Sequence, residues 1–271
     1  MPALLTLARA FMMPSRALRL ETDHWDSYLE QFHRERPGIT QVVLGKSFGL
    51  EHHDDPYQWL LEALPDAGPV LDLACGNASL FAKRAWSGWI GLDRSRSELG
   101  AVNETTSDPL VCADSAQLPL SDGSIGALVC SMGMMVLQPL EETLEEVRRV
   151  LAAGATGCLL LPARTPLRVF DKMRYARLLL ALRRPRLDYP NDRAMSQLPE
   201  VLKRFSLTVR ADHRRCFRYS FDGLDSVEQF VDSLYLPGAS LGQIENGRGV
   251  AKHWIGSTIG IPLRRVVFER I

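Results

Sequence analysis

Apolar and polar positions alternate along this chain in two different rhythms. Between residues 65 and 163, short apolar runs at 70–73, 89–92, 110–113, 125–130 and 157–161 are separated by segments of helical spacing at 78–85, 95–101 and 141–151. Short apolar runs bounded by turn residues predict buried strands, and recurrence at three and four positions predicts helices. In 141–151, Leu144, Val147, Val150 and Leu151 share one face, and Gly154 stands where a helix would stop. Strands alternating with helices build a mostly parallel sheet with helices on both faces. Upstream, Trp25, Tyr28, Leu29 and Phe32 recur at i, i+3, i+4 and i+7, which predicts a helix over 22–36 broken by Pro37-Gly38. A second helix is expected over 56–64. Downstream, an apolar and basic stretch at 167–182 precedes a short helix at 198–204, strands at 206–211 and 216–220, a helix at 226–234 and a last strand at 263–269. The 165–194 segment is too long for a plain connection. It is expected to be an insertion after the fifth strand, on the sheet edge where ligands bind.

Composition narrows the class. With 46% hydrophobic and 24% charged residues, the 271-residue chain has the balance of an ordinary globular protein, which excludes disordered and fibrous readings. No apolar run reaches the roughly 18 residues of a membrane span. The first twenty residues, MPALLTLARAFMMPSRALRL, carry three arginines and no acid. They lack a small-residue cleavage pattern and read as a packed or frayed extension, with an interfacial helix as the alternative. Five scattered cysteines (Cys75, Cys112, Cys130, Cys158, Cys216) form no CxxC pair. Cys112, Cys130 and Cys158 sit in apolar runs expected in core strands, and this usage points to a reducing cytoplasm. No metal is expected: His52-His53-Asp54-Asp55 places neighbouring side chains in different directions and has no distant partner.

The net charge is zero but unevenly spread. Residues 164–220 hold fifteen Lys/Arg against five acids, a charge of +10 balanced by −10 elsewhere. A solvated basic face is the plain reading. An anionic ligand, nucleic acid or a membrane surface are the sharper ones.

The chemistry concentrates in 69–80, PVLDLACGNASL, a strand ending in an acid followed by a turn of small residues. Small residues let backbone approach a ligand, and the helix expected next offers free N–H groups. Asp93 follows twenty-one residues after Asp72, at the end of the second strand, where a carboxylate accepts both hydroxyls of a ribose. A dinucleotide fingerprint would need glycines at 74, 76 and 79, where the chain has Ala74, Gly76 and Ser79. Asp72 would also repel a pyrophosphate, whereas it favours an ammonium or sulfonium cation. Gly45-Lys46-Ser47-Phe48-Gly49 fits the G-x-S-x-G nucleophile elbow, but no strand is expected before it, so the match is set aside.

Four ordered stretches carry a resemblance. LDLACGNA (71–78), GLDRSRSEL (91–99), ADSAQLPLSDGSIGALVCSM (113–132) and EEVRRVLAAGATGCLLLPA (145–163) resemble the motifs of class I S-adenosylmethionine-dependent methyltransferases of the UbiE-like, type 11 kind. The resemblance covers 56–163 well and 198–271 loosely. It implies a Rossmann-like α/β fold with a seven-stranded, mostly parallel sheet and a helical cap from the N-terminal helices and the insertion. The implied plan is an extension at 1–21 and a methyltransferase domain at 22–271. Within it lie lid helices (22–64), a cofactor-binding core (65–163), the cap insertion (164–195) and a C-terminal core (196–271). By resemblance the cofactor is S-adenosyl-L-methionine. Asp72, Ala74, Cys75 and Gly76 would surround its methionyl end, Asp93 would hold its ribose, Asp114 and Ser115 its adenine, Ser131 and Met132 would lie beneath the methyl donor, and Arg94 is counted among the cofactor-binding residues. Ala74 and Ala78 stand where the family usually has glycine.

Methyl transfer needs aligned reactants, a dry cavity and sometimes a base. Tyr28, His33 and Tyr175 are candidates, beside His52, His53, Tyr235 and His253. Trp25, Tyr28 and Arg36 read either as a lid or as packing. The expected acceptor is a small apolar or aromatic metabolite. An RNA-modifying enzyme of the same fold and a cofactor-binding, non-methylating scaffold are the alternatives.

Overall fold

The computed structural model describes residues 16–51, 54–65, 68–84, 86, 88–102 and 108–271, with side chains from residue 24 onward. The elements run α1 (Arg16–Glu35), α2 (Ile39–Gly45), α3 (Pro56–Leu61), β1 (Val70–Leu73), a 3-10 turn (Phe81–Lys83), β2 (Trp89–Asp93), α4 (Arg96–Gly100), β3 (Leu110–Cys112), β4 (Ile125–Ser131), α5 (Leu140–Val150) and β5 (Leu151–Pro162). There follow α6 (Val169–Ala181), α7 (Asp192–Ser196), α8 (Leu198–Arg204), β6 (Leu207–Ser220), α9 (Leu224–Asp232), α10 (Leu241–Lys252) and β7 (Thr258–Arg270). The strands form a seven-stranded sheet in the order β3-β2-β1-β4-β5-β7-β6. The first five are parallel, while β7 runs antiparallel to both β5 and β6. This is the mixed, mostly parallel sheet with flanking helices that the strand–helix alternation implied.

Two core clusters cover the sheet faces. One joins Leu71, Leu73, Leu128 and Cys130 to Leu29 and Phe32 of α1, Leu144 and Val147 of α5, and Leu198 and Leu202 of α8. The other packs Val70, Val129, Cys158 and Leu160 against Tyr57, Leu60 and Leu61 of α3. β1 is buried on both faces, which is why it reads as a continuous apolar run broken by Asp72 alone.

Several expectations need correction. No α-helix follows β1: Ala78 adopts φ 57, a left-handed residue that interrupts a helix, and only a 3-10 turn forms at Phe81–Lys83. The helix expected at 22–36 begins earlier, at Arg16, so it takes in part of the 1–21 extension; residues 1–15 lie outside the described residues. Gly154, expected to stop a helix, instead lies within β5 with φ 74. There the register against β4 slips between Ile125 and Ala127, so the glycine serves a bulge. The two strands expected at 206–211 and 216–220 are one strand, β6, because β7 pairs with it without interruption in direction from Leu207 to Ser220. Helix α10 had no expectation. Cys112, expected in the core, is exposed, because β3 is an edge strand.

Pairing of β5 with β7 ends at Pro162 and Leu263, but β6 and β7 continue together to Ser220 and Thr258. The overhang extends beyond the carboxyl end of β5. A third cluster forms around it from Tyr219, Phe221 and Ile259 with Leu178 and Leu182 of α6, Phe230 of α9, Ala251 of α10 and Val43 of α2. The cap therefore includes the 221–257 connection as well as the N-terminal helices and the insertion.

Candidate functional site

The carboxyl ends of β1, β2 and β4 open into a cavity of about 580 Å³, roofed by α1 and α2. Ligands of open parallel sheets bind at this edge, between strands whose connections leave in opposite directions. Of the cofactor residues expected from the sequence, Asp72, Ala74, Cys75, Gly76, Asp93, Arg94, Ser115, Ser131 and Met132 line the cavity. Asp114 does not. Its exposed carboxylate accepts the Ala116 N–H and caps its own turn.

The floor is a turn under strain. Ala74, Gly76 and Ala78 all have φ near 56°, and Met132 at the end of β4 has φ 57. Left-handed conformation costs an L-residue roughly 1–2 kcal/mol, so Ala74, Ala78 and Met132 hold their shape only because the surroundings dictate it. At Gly76 the backbone conformation is the constraint, since a Cβ there would meet only the end of the Gln41 side chain, which can move aside. The short Gly133 is needed for space, since its Cβ would meet that of Ala74 at 2.7 Å.

Two acids stand side by side with different company. Asp93 accepts the Gly76 N–H at 2.9 Å and the Ser95 N–H at 2.8 Å, one on each oxygen. Burial raises its pKa, and those two bonds pull it partly back. Asp72, 1% exposed, makes no well-formed hydrogen bond on either carboxylate oxygen, and the donor that faces it is the Trp89 indole N–H, itself without another partner among the described residues. Burial pushes its pKa well up, the charge of Asp93 adds to this, and the Trp89 indole N–H pulls it only partly back. Ser131 Oγ and Gln41 Oε1 are further buried and unpartnered atoms of the cavity wall, and Thr40 Oγ1, which faces the Tyr235 hydroxyl, also lacks a well-formed bond. Unpaired buried polar groups cost about 1–3 kcal/mol each, so such a cluster marks a site completed by a ligand.

The roof is latched through Glu98 of α4. Its carboxylate, 2% exposed, receives His33 Nδ1 at 2.7 Å and the Gly38 N–H at 2.9 Å. His33 Nε2 lies 3.2 Å from the Tyr235 hydroxyl. A carboxylate on Nδ1 selects the tautomer protonated there and leaves Nε2 as the acceptor. Tyr235 is buried, which pushes its phenol pKa up and keeps its proton on oxygen. All three residues line the cavity. At its mouth Arg94 pairs with Asp26 of α1 at 2.9 Å.

The other candidates have structural duties. The Tyr28 hydroxyl accepts the Leu236 N–H, and its ring packs among Trp25, Phe32 and Tyr235. Trp25 is a buried core residue, and the Arg36 guanidinium lies over the Phe32 ring. Tyr175 donates to the Gly260 carbonyl within the cap, and His253 is exposed at the end of α10. His52 and His53 lie outside the described residues. Asp54 forms a two-pronged pair with Arg215, and Asp55 caps α3 and pairs with Lys83. Among the described residues no group of His, Cys, Asp and Glu is arranged to hold a metal ion. Ser47 is buried at the end of a helix and donates to the Val43 carbonyl, so the G-x-S-x-G match is no nucleophile elbow.

Sequence reasoning missed Glu98, Gln41 and Thr40. Ser95-Arg96-Ser97-Glu98 has the spacing of a helix-capping box, and Ser95 does cap α4, but the Glu98 side chain turns to α1 instead. Gln41 and Thr40 give no local signal. The insertion does reach the site: Asn191 donates to the Met134 and Leu137 carbonyls and so holds the loop after β4. Arg149 of α5 similarly binds the Leu118 and Leu120 carbonyls, fixing the loop that carries Ser115.

Residues 71–159 match a family model described as a methyltransferase domain. No curated protein matches the whole sequence significantly. Solved structures share the fold at low identity. The [4+2]-cyclase SpnF is 13% identical with a TM-score of 0.56, over 89% of this chain and 95% of its own. A sarcosine dimethylglycine methyltransferase assigned in Galdieria sulphuraria is 13% identical with a TM-score of 0.52, over 84% and 93%. A protein that converts a disulfide into a thioacetal in echinomycin biosynthesis is 18% identical with a TM-score of 0.51, over 79% and 80%.

Proposed function

We propose that this chain, whose residues 71–159 are a type 11 S-adenosylmethionine-dependent methyltransferase domain, methylates a small, largely apolar or aromatic acceptor at an atom that carries a proton. The observation that carries the reading is Asp72, a fully buried carboxylate with no cationic partner among the described residues and no well-formed hydrogen bond, in a cavity otherwise built for a nucleoside. A cationic amino-acid group is the counterpart that such a carboxylate requires. The residues present fit S-adenosyl-L-methionine: Asp72, Ser131 and the 74–76 turn would hold its amino-acid end, Asp93 the ribose, Ala113 and Ser115 the adenine. When bound, the cofactor supplies an electrophilic methyl group on a sulfonium.

The protein's own contribution is positioning and proton transfer. Asp93 is anchored by two backbone N–H groups, so it offers its remaining lone pairs in fixed directions. The latch from Glu98 to His33 and Gly38 closes α1 over the cavity and excludes water. The proton that an O–H or N–H acceptor releases passes to the Tyr235 hydroxyl as that hydroxyl gives its own proton to His33 Nε2, so His33 is the base and Tyr235 the relay. Leu29, Val136, Leu137, Met132 and Tyr57 give the cavity apolar walls, which suits an apolar or aromatic acceptor. The basic stretch does not argue for RNA, because Arg215 and Arg218 are spent on Asp54 and Asp171 and the rest lie on several elements.

Calorimetry with S-adenosyl-L-methionine tests the cofactor site. Asp93→Ala is expected to weaken binding roughly 10- to 100-fold, the worth of charge-assisted hydrogen bonds. Undiminished affinity would sink the assignment. His33→Gln is expected to leave that affinity within about twofold while lowering turnover to S-adenosylhomocysteine by roughly 100-fold or more. An equal loss in both would make His33 part of the latch and no base.

A further inference from the structure

Helix α6 carries a face that nothing in the fold uses. Asp171, Leu178 and Leu182 turn inward and are buried, with Asp171 paired to Arg218 of β6. On the opposite side Val169, Met173, Ala176 and Leu180 follow at i, i+4, i+7 and i+11 and form one ridge. Val169 is 70%, Met173 56% and Leu180 79% exposed, and the adjoining Phe170 is 77% exposed. Large apolar side chains this exposed protrude and line no groove. Lone exposed apolar residues are common, but four on one short helix are not.

The ridge is flanked by cations. Arg168, Lys172, Arg177 and Arg183 are all exposed, and among the described residues none of them has an ion-pair partner. Lys172 falls on one side of the ridge and Arg177 on the other, at helical spacing, while Arg183 follows just past the helix end. The helix's own acid, Asp171, faces away. An apolar stripe bordered by basic residues on a convex helix is the pattern of an element that lies in a charged interface.

We infer that α6 docks on an anionic lipid bilayer, the apolar ridge entering the headgroup boundary and the flanking cations meeting acidic headgroups. Charge complementarity selects this occupant. A second copy would set the same cations against each other. The chain's N-terminal segment is itself basic, with Arg9, Arg16 and Arg19 and no acid in the first twenty residues, so it is no complement either. The placement also has a use: α6 follows β5 directly, on the carboxyl edge of the sheet, and its inner face joins the cap beside the cavity. A lipophilic acceptor would then reach the site from the membrane; the docking itself does not depend on methyl transfer.

Flotation of the full chain with vesicles tests this directly. Binding is expected to phosphatidylcholine vesicles containing about 30% phosphatidylglycerol, with little to phosphatidylcholine alone, because each basic residue near an anionic surface adds attraction. Lys172→Glu with Arg177→Glu, and separately Phe170→Ser with Leu180→Ser, should each lower partitioning roughly tenfold or more while leaving thermal unfolding and cofactor affinity unchanged. No binding to anionic vesicles overturns the proposal. So does binding that survives both double variants, which would place the contact elsewhere, as on residues 1–15. A dimer by light scattering that either double variant dissociates would assign the face to a second copy and overturn it equally.

Discussion

The two ends of this sheet treat buried charge in opposite ways. At the cap end, Asp171 and Arg218 are buried at 1% and 7% exposure, and every arginine nitrogen donates to an acceptor: Nη1 to Asp171, Nε to Thr258 Oγ1, and Nη2 to both Thr258 Oγ1 and the Thr258 carbonyl. At the cofactor end, Asp72 is as deeply buried and among the described residues has no cation beside it, only the Trp89 indole N–H short of a well-formed bond. The first arrangement is complete, so it holds α6 to the β6–β7 overhang. The second is incomplete, so it destabilises the free protein and is relieved by a ligand of the right charge. A buried charge is thus a brace or a receptor according to whether the fold itself supplies its partner.

The contrast can be broken from either side. Asp171→Ala leaves the Arg218 guanidinium buried without its acid and is expected to cost about 3–5 kcal/mol of unfolding free energy in denaturant titrations. A cost within a few tenths of a kcal/mol would mean that the pair is no brace. Asp72→Asn is expected to do the reverse, raising the stability of the cofactor-free protein by about 1 kcal/mol while weakening cofactor binding roughly tenfold or more.

The sign follows from linkage. Asp72 has its folded-state pKa raised above the unfolded value of about 4, so the native state keeps a proton that the unfolded chain has lost. Its contribution is harmless below that value, and stability falls as pH rises from there through the folded pKa. The gain from Asp72→Asn should therefore be larger at pH 8 than at pH 4, and a gain independent of pH would reject the carboxylate as its source. The smallest effect concerns the strained turn. Ala78→Gly removes a Cβ at φ 57, and thermal melts should show a gain of about 1 kcal/mol or less, because glycine also loosens the unfolded chain.

Much of the cofactor end was legible because its signals are local. The runs at 70–73 and 89–92 mark strands whose last or near-last residues are acids, and the strands deliver Asp72 and Asp93 to one edge wherever the remaining chain goes. The missing glycines were visible as Ala74 and Ala78, but not that both residues would take the left-handed conformation and cancel the helix after β1. Spacing likewise announced the insertion without showing that Asn191 pins the loop after β4.

Sequence by itself determined the alternating core, the order of the cofactor strands and the identity of the acids at their ends, since each rests on patterns a few residues long. Tertiary structure alone decided the rest. His33 meets Glu98 across 65 positions and Tyr235 across 202, and no periodicity relates residues so far apart. The same holds for the β6–β7 overhang, where pairing with a distant strand merged two apparent strands into one. Whether Asp72 would be satisfied depended on what the folded chain brought to it, and the fold brought no ion-pair partner among the described residues and only the Trp89 indole N–H, short of a well-formed bond.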